Sequence, residues 1–229
     1  MKNNLKRIPQ YILSLIFFSS FLSLSISSVV RAEALRLPLT SEVLRAYYSD
    51  PYPQFLNEKS LPNIHHKKLQ PLPKDIYLTA MKTGRWWSDE YFEYYSNKTP
   101  NIQFFEIGEF MLYDLAFKVI AYLDYVEADT PGLIIQLNSY TKKGVFIDAL
   151  LLDQRIQYEE GENYSRFYID QQGNVTINQY QVTHAEITDG GIGDPIDHAL
   201  PYIEQQRSYK ISQEGKFIAR DVLEFPEPH

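Results

Sequence analysis

Apolar and polar positions along this chain follow different patterns before and after residue 104. After that point, β-branched and aromatic residues form runs of strand length that are separated by turn residues. Before it, residues 35–75 carry six prolines, and proline fixes φ and removes a backbone donor. The pattern therefore predicts an irregular and partly helical part over residues 35–103 and a β-rich part over residues 104–229.

Three turns that contain glycine predict three hairpins in the β-rich part. A four-residue connection ends at Gly144, and two three-residue loops end at Gly173 and Gly215. Glycine closes a bulged three-residue loop because it adopts the left-handed conformation, so we expect a positive φ at Gly173 and Gly215. The runs that flank these turns are residues 133–140 and 145–153, 166–170 and 174–182, and 209–212 and 216–221.

Three successive hairpins form a meander, and residues 104–113 supply a further strand before them. Residues 115–126 fit a strand, with a helix as the alternative. The predicted fold is α+β and mainly β: an antiparallel β-meander sheet with short helices and an irregular proline-rich N-terminal segment. The short helices are predicted from Thr40 or Ser41, over residues 74–81, and from Ser88, where Asp89 and Glu90 favour the positive helix end.

The last two hairpins resemble each other in sequence. Residues 167–175 match residues 209–217 at a spacing of about 42 positions, which is close to the length of a propeller blade. A propeller is the alternative architecture, but two copies are fewer than the three that stacked repeats need. We therefore favour a single meander in one domain.

Residues 1–34 have the order of an export signal. A positive segment with Lys2, Lys6 and Arg7 precedes an apolar run, and small residues follow at the cleavage position. Cleavage is predicted after Ala34, with Ala32 as the alternative. An uncleaved anchor is disfavoured because five serines interrupt residues 14–25, whereas a membrane span needs about 20 apolar residues. A single periplasmic domain over residues 35–229, without a stable membrane anchor, is expected.

The sequence contains no cysteine, which excludes disulfides, thiol nucleophiles and the lipidated cysteine of a lipoprotein. Without residues 1–34, 18 basic side chains face 28 acidic ones, a balance of −10. Binding to a phosphate backbone needs clustered lysine and arginine, so nucleic acid is not an expected partner. A basic protein partner is favoured.

Candidate catalytic residues do not form a recognisable set. His65 and His66 are adjacent and diverge in any regular structure, so they do not make a metal site. The loop from Asp189 to Asp194 lacks the residues of a phosphate or calcium loop, and Pro195 is placed to begin a helix that carries His198. No catalytic residue, metal or cofactor is predicted.

Two clusters are candidates for binding a protein partner. Adjacent tryptophans followed by tyrosines form the densest aromatic group, of the kind that anchors protein interfaces. Three glutamates near Gly161 supply carboxylates that steer a basic partner from a solvated loop. The predicted partner-binding residues are Trp86, Trp87 and Tyr91, together with Glu159, Glu160 and Glu162.

Taken together, these features resemble those of the periplasmic immunity proteins. They are an export signal, an acidic balance, many tyrosines, no cysteine, and the hairpin pattern of residues 167–175 and 209–217. These proteins neutralise bacterial secreted toxins, including toxins of the type VI kind. The resemblance implies a stoichiometric inhibitor that binds a cognate toxin, and it carries over no individual binding residue. The alternative is a periplasmic enzyme or a binder of small ligands or glycans that uses Trp86, Trp87 and the region from Asp189 to His198.

Overall fold

The computed structural model describes residues 33–44, 104–127, 130–158, 160–188 and 190–226. This part of the chain is mainly β, and ten of its strands form one large sheet in which nearly all neighbours are antiparallel. The predicted antiparallel meander is therefore confirmed. The helices predicted over residues 74–81 and from Ser88 lie outside the described residues.

Eight long strands follow one another through the sheet, and each pairs antiparallel with the next. They are β3 (Phe104–Leu112), β4 (Leu115–Glu127), β5 (Thr130–Tyr140), β6 (Phe146–Gln157), β7 (Gly161–Ile169), β8 (Asn174–Thr183), β11 (Tyr202–Ile211) and β12 (Phe217–Glu224). Between β8 and β11, the chain forms a separate two-stranded hairpin of β9 (Ala185–Thr188) and β10 (Gly191–Pro195).

Short elements before the long strands complete the sheet. The strand β1 (Glu33–Ala34) pairs parallel with β3, and β2 (Leu39–Thr40) pairs antiparallel with β7. The helix α1 (Ser41–Leu44) begins where the sequence predicts it, and its next residues lie outside the described part.

The core lies between the two halves of the sheet, because β3–β6 and β7–β12 contribute buried apolar side chains to the same cluster. The rings of Phe117 and Phe217 meet edge to face, with centroids 6.2 Å apart. Ser139 Oγ donates a buried hydrogen bond of 2.7 Å to the carbonyl oxygen of Gly215. Strands that are far apart in the sheet order are therefore in contact, which a curved sheet permits and a flat one does not.

The sheet opens between β6 and β7, which pair at only two positions. In this gap, Ser41 Oγ accepts a 2.7 Å hydrogen bond from the backbone N–H of Phe167. The hydroxyl of Ser41 thus gives a buried strand N–H the partner that β6 does not supply. The leucines of β2 and α1, Leu39 and Leu44, are fully buried in the core beside it.

The predicted hairpin turns are observed. Gly173 has a φ of 79° and Gly215 a φ of 83°, as the three-residue loops require. Residues 115–126, for which a helix was the alternative, form β4. The two similar hairpins are neighbouring parts of one continuous sheet and not blades of a propeller.

Candidate functional site

The last strand, β12, lies at an edge of the sheet and is the most exposed of the long strands. Every residue from Ile218 to Glu224 is exposed. The apolar side chains among them retain about half of their surface in contact with solvent: 51% for Ile218, 57% for Val222 and 50% for Leu223. An edge strand also offers N–H and C=O groups that can pair with another chain. Among the described residues, no strand pairs with the outer side of β12, so its open backbone edge is combined with exposed apolar side chains.

A pocket of about 350 Å³ is lined by residues of β8, the first half of β11 and the end of β12. Its lining is mostly polar and charged, and one aromatic ring closes it. The lining residues are Gln179, Glu204, Gln205, Arg207, Glu224 and Phe225.

A β-bulge in β11 positions one of the two carboxylates of this pocket. Ile203 pairs with Tyr180 and Gln205 pairs with Gln179, so Glu204 is the extra residue between them. Bulges change the direction of a side chain locally and are frequent beside binding sites. The bulge allows Glu204 to line the pocket together with its neighbour Gln205.

Two acids, Glu204 and Glu224, line the pocket together. Burial raises the pKa of Glu204, and the negative charge of Glu224 raises it further, while Arg207 opposes both effects. Arg207 itself donates from Nε to Gln205 Oε1. It also forms a hydrogen bond with Tyr209, a residue whose pKa is raised by burial. The pocket therefore contains two carboxylates and only one guanidinium, and this guanidinium already forms hydrogen bonds.

Gln179 is the most buried residue of the pocket, with 4% of its surface exposed. Its side-chain Nε2 is buried and has no hydrogen-bond partner among the residues that the structure describes. A buried donor without a partner costs about 1–3 kcal/mol. The amide therefore has an unused hydrogen bond at the wall of the pocket.

A second polar cluster lies on β6 and β7 and contains one predicted partner-binding residue, Glu162. Asp153 is fully buried and accepts hydrogen bonds from Arg155 Nε at 2.8 Å and from the backbone N–H of Ser165 at 2.7 Å. Glu162 Oε1 lies 3.4 Å from His184 Nε2. Burial raises the pKa of Glu162, while His184 and then Arg155 lower it. The cluster joins buried Asp153, Arg155 and Glu162 to the half-exposed His184 and links neighbouring strands.

The structure changes the interpretation of the predicted glutamates. Glu162 belongs to β7 and is only 8% exposed, so it does not lie in a solvated loop where it could steer a partner. Glu160 is half-buried, and its carbonyl oxygen accepts hydrogen bonds from the backbone N–H groups of His184 and Ala185. The sequence suggested a loop because three acids flank a glycine. In the structure, Gly161 is the first residue of β7.

The other predicted partner-binding residues, Trp86, Trp87, Tyr91 and Glu159, lie outside the described residues. Their role remains a prediction from the sequence.

Asp189 lies outside the described residues, and residues 191–198 form β10 and the turn after it, not a helix. Pro195 is the last residue of β10, so the helix predicted to begin there was wrong. His198 adopts a left-handed φ of 59° in an exposed turn, which the sequence did not indicate. In the described part of the chain, no group of three or more histidine, aspartate or glutamate side chains is arranged to hold a metal ion.

The pocket was not predicted, since its residues are spread over three strands. The sequence pattern placed a strand over residues 209–212, whereas β11 begins at Tyr202. The polar stretch from Glu204 to Arg207 hid this longer strand, because it interrupts the apolar alternation on which strand prediction depends. The register imposed by the turn at Gly215 would place Leu223 opposite Gln205, and a bulge between Arg207 and Tyr209 shifts this pairing to Glu224.

Comparison with known proteins gives no match to any family model, any curated protein or any solved structure. A helix with the length and apolar character of a membrane span is absent from the described residues.

Proposed function

We propose that this protein is exported to the periplasm, where it binds a cognate bacterial toxin and blocks it as an immunity protein. The observation that carries the proposal is the exposed apolar edge of β12. Val222 and Leu223, on the two faces of this edge strand, keep 57% and 50% of their surface in solvent. Since exposed sheet edges are sites of pairing with other chains, β12 is suited to a protein partner.

The proposed binding mode is addition of an extended segment of the toxin to the free edge of β12. Backbone hydrogen bonds of such an added strand supply affinity, and pockets for alternate side chains supply specificity. The register of β12 places Val222 opposite Arg207 and Leu223 opposite Gln206, so these two side chains lie on opposite faces of the sheet. A partner strand would therefore find an apolar contact on each face.

Net charge supports the same class of partner. The chain without residues 1–34 carries a balance of −10, and Glu224 with Asp221 adds carboxylates along β12 itself. Complementary charge raises the rate of association with a basic protein. We propose that a basic toxin is attracted by this field and then held by β12.

If a secreted toxin is encoded beside this gene, the test is its binding to a variant with lysine on both faces of the edge, Val222→Lys with Leu223→Lys. Loss of two central apolar contacts at about 2 kcal/mol each weakens binding at least ~100-fold. The matched control is Ile192→Lys, because Ile192 is 48% exposed on the separate β9–β10 hairpin. Equal affinity of the double variant and the wild type would contradict a role for β12, while equal weakening by the control would indicate a general effect of positive charge.

A further inference from the structure

The pocket between β8, β11 and β12 has the features of a binding site for a small charged group. We propose that it binds a ligand that carries two groups: an organic cation, which is a guanidinium or a primary ammonium group, and a neutral acceptor oxygen. This inference depends on the pocket alone and holds whether or not the protein neutralises a toxin.

The charges of the residues that line the pocket favour a ligand with a positive group. Glu204 and Glu224 both line the pocket, and the residue after Glu224, Phe225, donates its backbone N–H to the carbonyl oxygen of Glu204 at 2.8 Å. Arg207 offsets only one of them and already donates to Gln205 Oε1. The pocket therefore has an excess of one negative charge when both acids are ionised. A bound cation would relieve the repulsion between the two carboxylates and form charge-assisted hydrogen bonds with them.

The side-chain amide of Gln179 favours a ligand that also carries an acceptor oxygen. Its Nε2 is buried at the wall of the pocket and lacks a hydrogen-bond partner among the described residues. An ammonium or guanidinium group has only donors and cannot satisfy another donor. A carbonyl or hydroxyl oxygen on the same ligand can, and this would recover the cost of the unsatisfied amide.

The remaining features fit a ligand of this kind. A volume of about 350 Å³ is at the lower end of small-molecule sites and accommodates one amino-acid residue or one sugar. The ring of Phe225, 41% exposed, lines the same pocket and offers an aromatic face to a cation. A carboxylate pair, a buried amide donor and a ring thus converge on one space.

The experiment compares ligands that differ only in charge, using the purified protein and isothermal titration calorimetry. Blocked arginine, N-acetyl-arginine N-methylamide, carries a guanidinium and carbonyl oxygens, and the corresponding citrulline compound is its neutral isostere. Glucosamine and glucose form a second pair, in which the cation belongs to a free metabolite and a hydroxyl replaces the ammonium group. We expect the cation of at least one pair to bind at least about tenfold more tightly than its neutral counterpart, which is the effect of one charged hydrogen bond. Preference for blocked arginine identifies a peptide side chain as the source, and preference for glucosamine identifies a free amino sugar.

Three variants locate the binding. Glu204→Gln and Glu224→Gln should each weaken the preferred cation about tenfold and leave its neutral counterpart unchanged. Gln179→Met should weaken both members of the pair several-fold because it removes the donor to their shared oxygen. Glu186→Gln, on the exposed β9, is the control and should have no effect.

The proposal would be overturned if no cation bound saturably, if each cation bound only as tightly as its isostere, or if the control changed affinity as much as the pocket variants. Circular dichroism of each variant checks that it is folded. Since these titrations contain no toxin, they separate failure of the pocket from failure of the proposed function.

Discussion

The backbone N–H of Phe225 donates a 2.8 Å hydrogen bond to the carbonyl oxygen of Glu204. This bond lies just beyond the last ladder pair of β11 and β12, Gln205 with Glu224. It ties the bulge of β11 to the end of the exposed edge strand. The pocket and the exposed strand β12 therefore share one segment of backbone. A ligand in the pocket and a partner chain on β12 would contact neighbouring residues of this segment.

Glu204→Gln is predicted to stabilise the protein at pH 7 and not at pH 3. Burial and Glu224 raise the folded-state pKa of Glu204 above its unfolded value of about 4.3. The wild type therefore has its full stability below the unfolded pKa and loses part of it as the pH rises through the folded pKa. Glutamine avoids this loss, and the gain should be less than about 1 kcal/mol because solvent screens a half-exposed group.

Urea unfolding at the two pH values measures the difference. Glu186→Gln, an exposed acid outside the pocket, is the control and should show no such dependence on pH. A gain of equal size at pH 3 and pH 7 would show that ionisation of Glu204 is not the cause.

Substitution of the turn glycines by alanine is predicted to distinguish two costs to stability, that of a positive φ and that of a Cβ atom too close to a neighbouring side chain. All three turn glycines have a positive φ, which costs a residue with a Cβ about 1 kcal/mol. A Cβ at Gly144 would meet nothing within 4 Å. A Cβ at Gly173 would lie 2.8 Å from Leu112 Cδ2, and one at Gly215 would lie 2.9 Å from Leu115 Cδ1.

We therefore expect Gly144→Ala to lower the free energy of unfolding by about 1 kcal/mol, and Gly173→Ala and Gly215→Ala to lower it by about 2–3 kcal/mol. Chemical denaturation measures all three. Equal losses in the three variants would mean that the contacts between the turns and the leucines contribute nothing.

Much of the β fold could be predicted because its signals are local. A glycine at the end of a short loop fixes a hairpin, and the positions of Gly173 and Gly215 were sufficient to place four of the long strands. Contacts between distant strands could not be predicted in this way. The hydrogen bond from Ser139 to Gly215 and the pairing of Leu39 with Ile169 depend on curvature of the whole sheet, which has no signature in a short window of sequence.

The candidate site was harder to predict for the same reason. Glu204 lies before the predicted strand of residues 209–212, and its place in a bulge is visible only once β8 and β11 are paired. Glu162 looked solvated because its sequence neighbours are acidic, whereas its burial is set by the strands around it. In both cases, tertiary contacts outweigh local composition.

Among substitutions in the polar cluster on β6 and β7, Arg155→Met is predicted to be the most destabilising. It would leave the Asp153 carboxylate fully buried without its cation, and it would remove the attraction that lowers the pKa of Glu162. Removal of one partner from a buried ion pair costs about 3–5 kcal/mol. Thermal and urea unfolding measure this loss.

The control is Arg166→Met. The Arg166 guanidinium lies 5.7 Å and 5.4 Å from the ring centroids of Tyr164 and Tyr180, so its loss should cost about 1 kcal/mol. If the two variants were equally stable, the pair of Asp153 and Arg155 would not have the role described for it.

The proposed export predicts a defined N-terminus. Cleavage after Ala34 makes Leu35 the first residue, and Leu35 is buried and donates its backbone N–H to the carbonyl oxygen of Glu109 at 2.8 Å. An ammonium group at that position can still donate to the same oxygen. Cleavage after Ala32 would instead retain β1. N-terminal sequencing of the periplasmic fraction should return Leu35, and a chain that begins with Met1 in the membrane fraction would contradict export.

The most direct test of the proposed function, if a secreted toxin is encoded beside this gene, is titration of that toxin's activity with this protein. An inhibitor that turns nothing over must remain bound to every toxin molecule, so its dissociation constant should be nanomolar or lower, roughly −12 kcal/mol in free energy. With toxin well above that concentration, we expect activity to fall linearly and to reach zero at a fixed molar ratio. Full toxin activity in the presence of excess protein would contradict the account, and a hydrolase or glycan-binding activity of the protein itself would then favour the alternative.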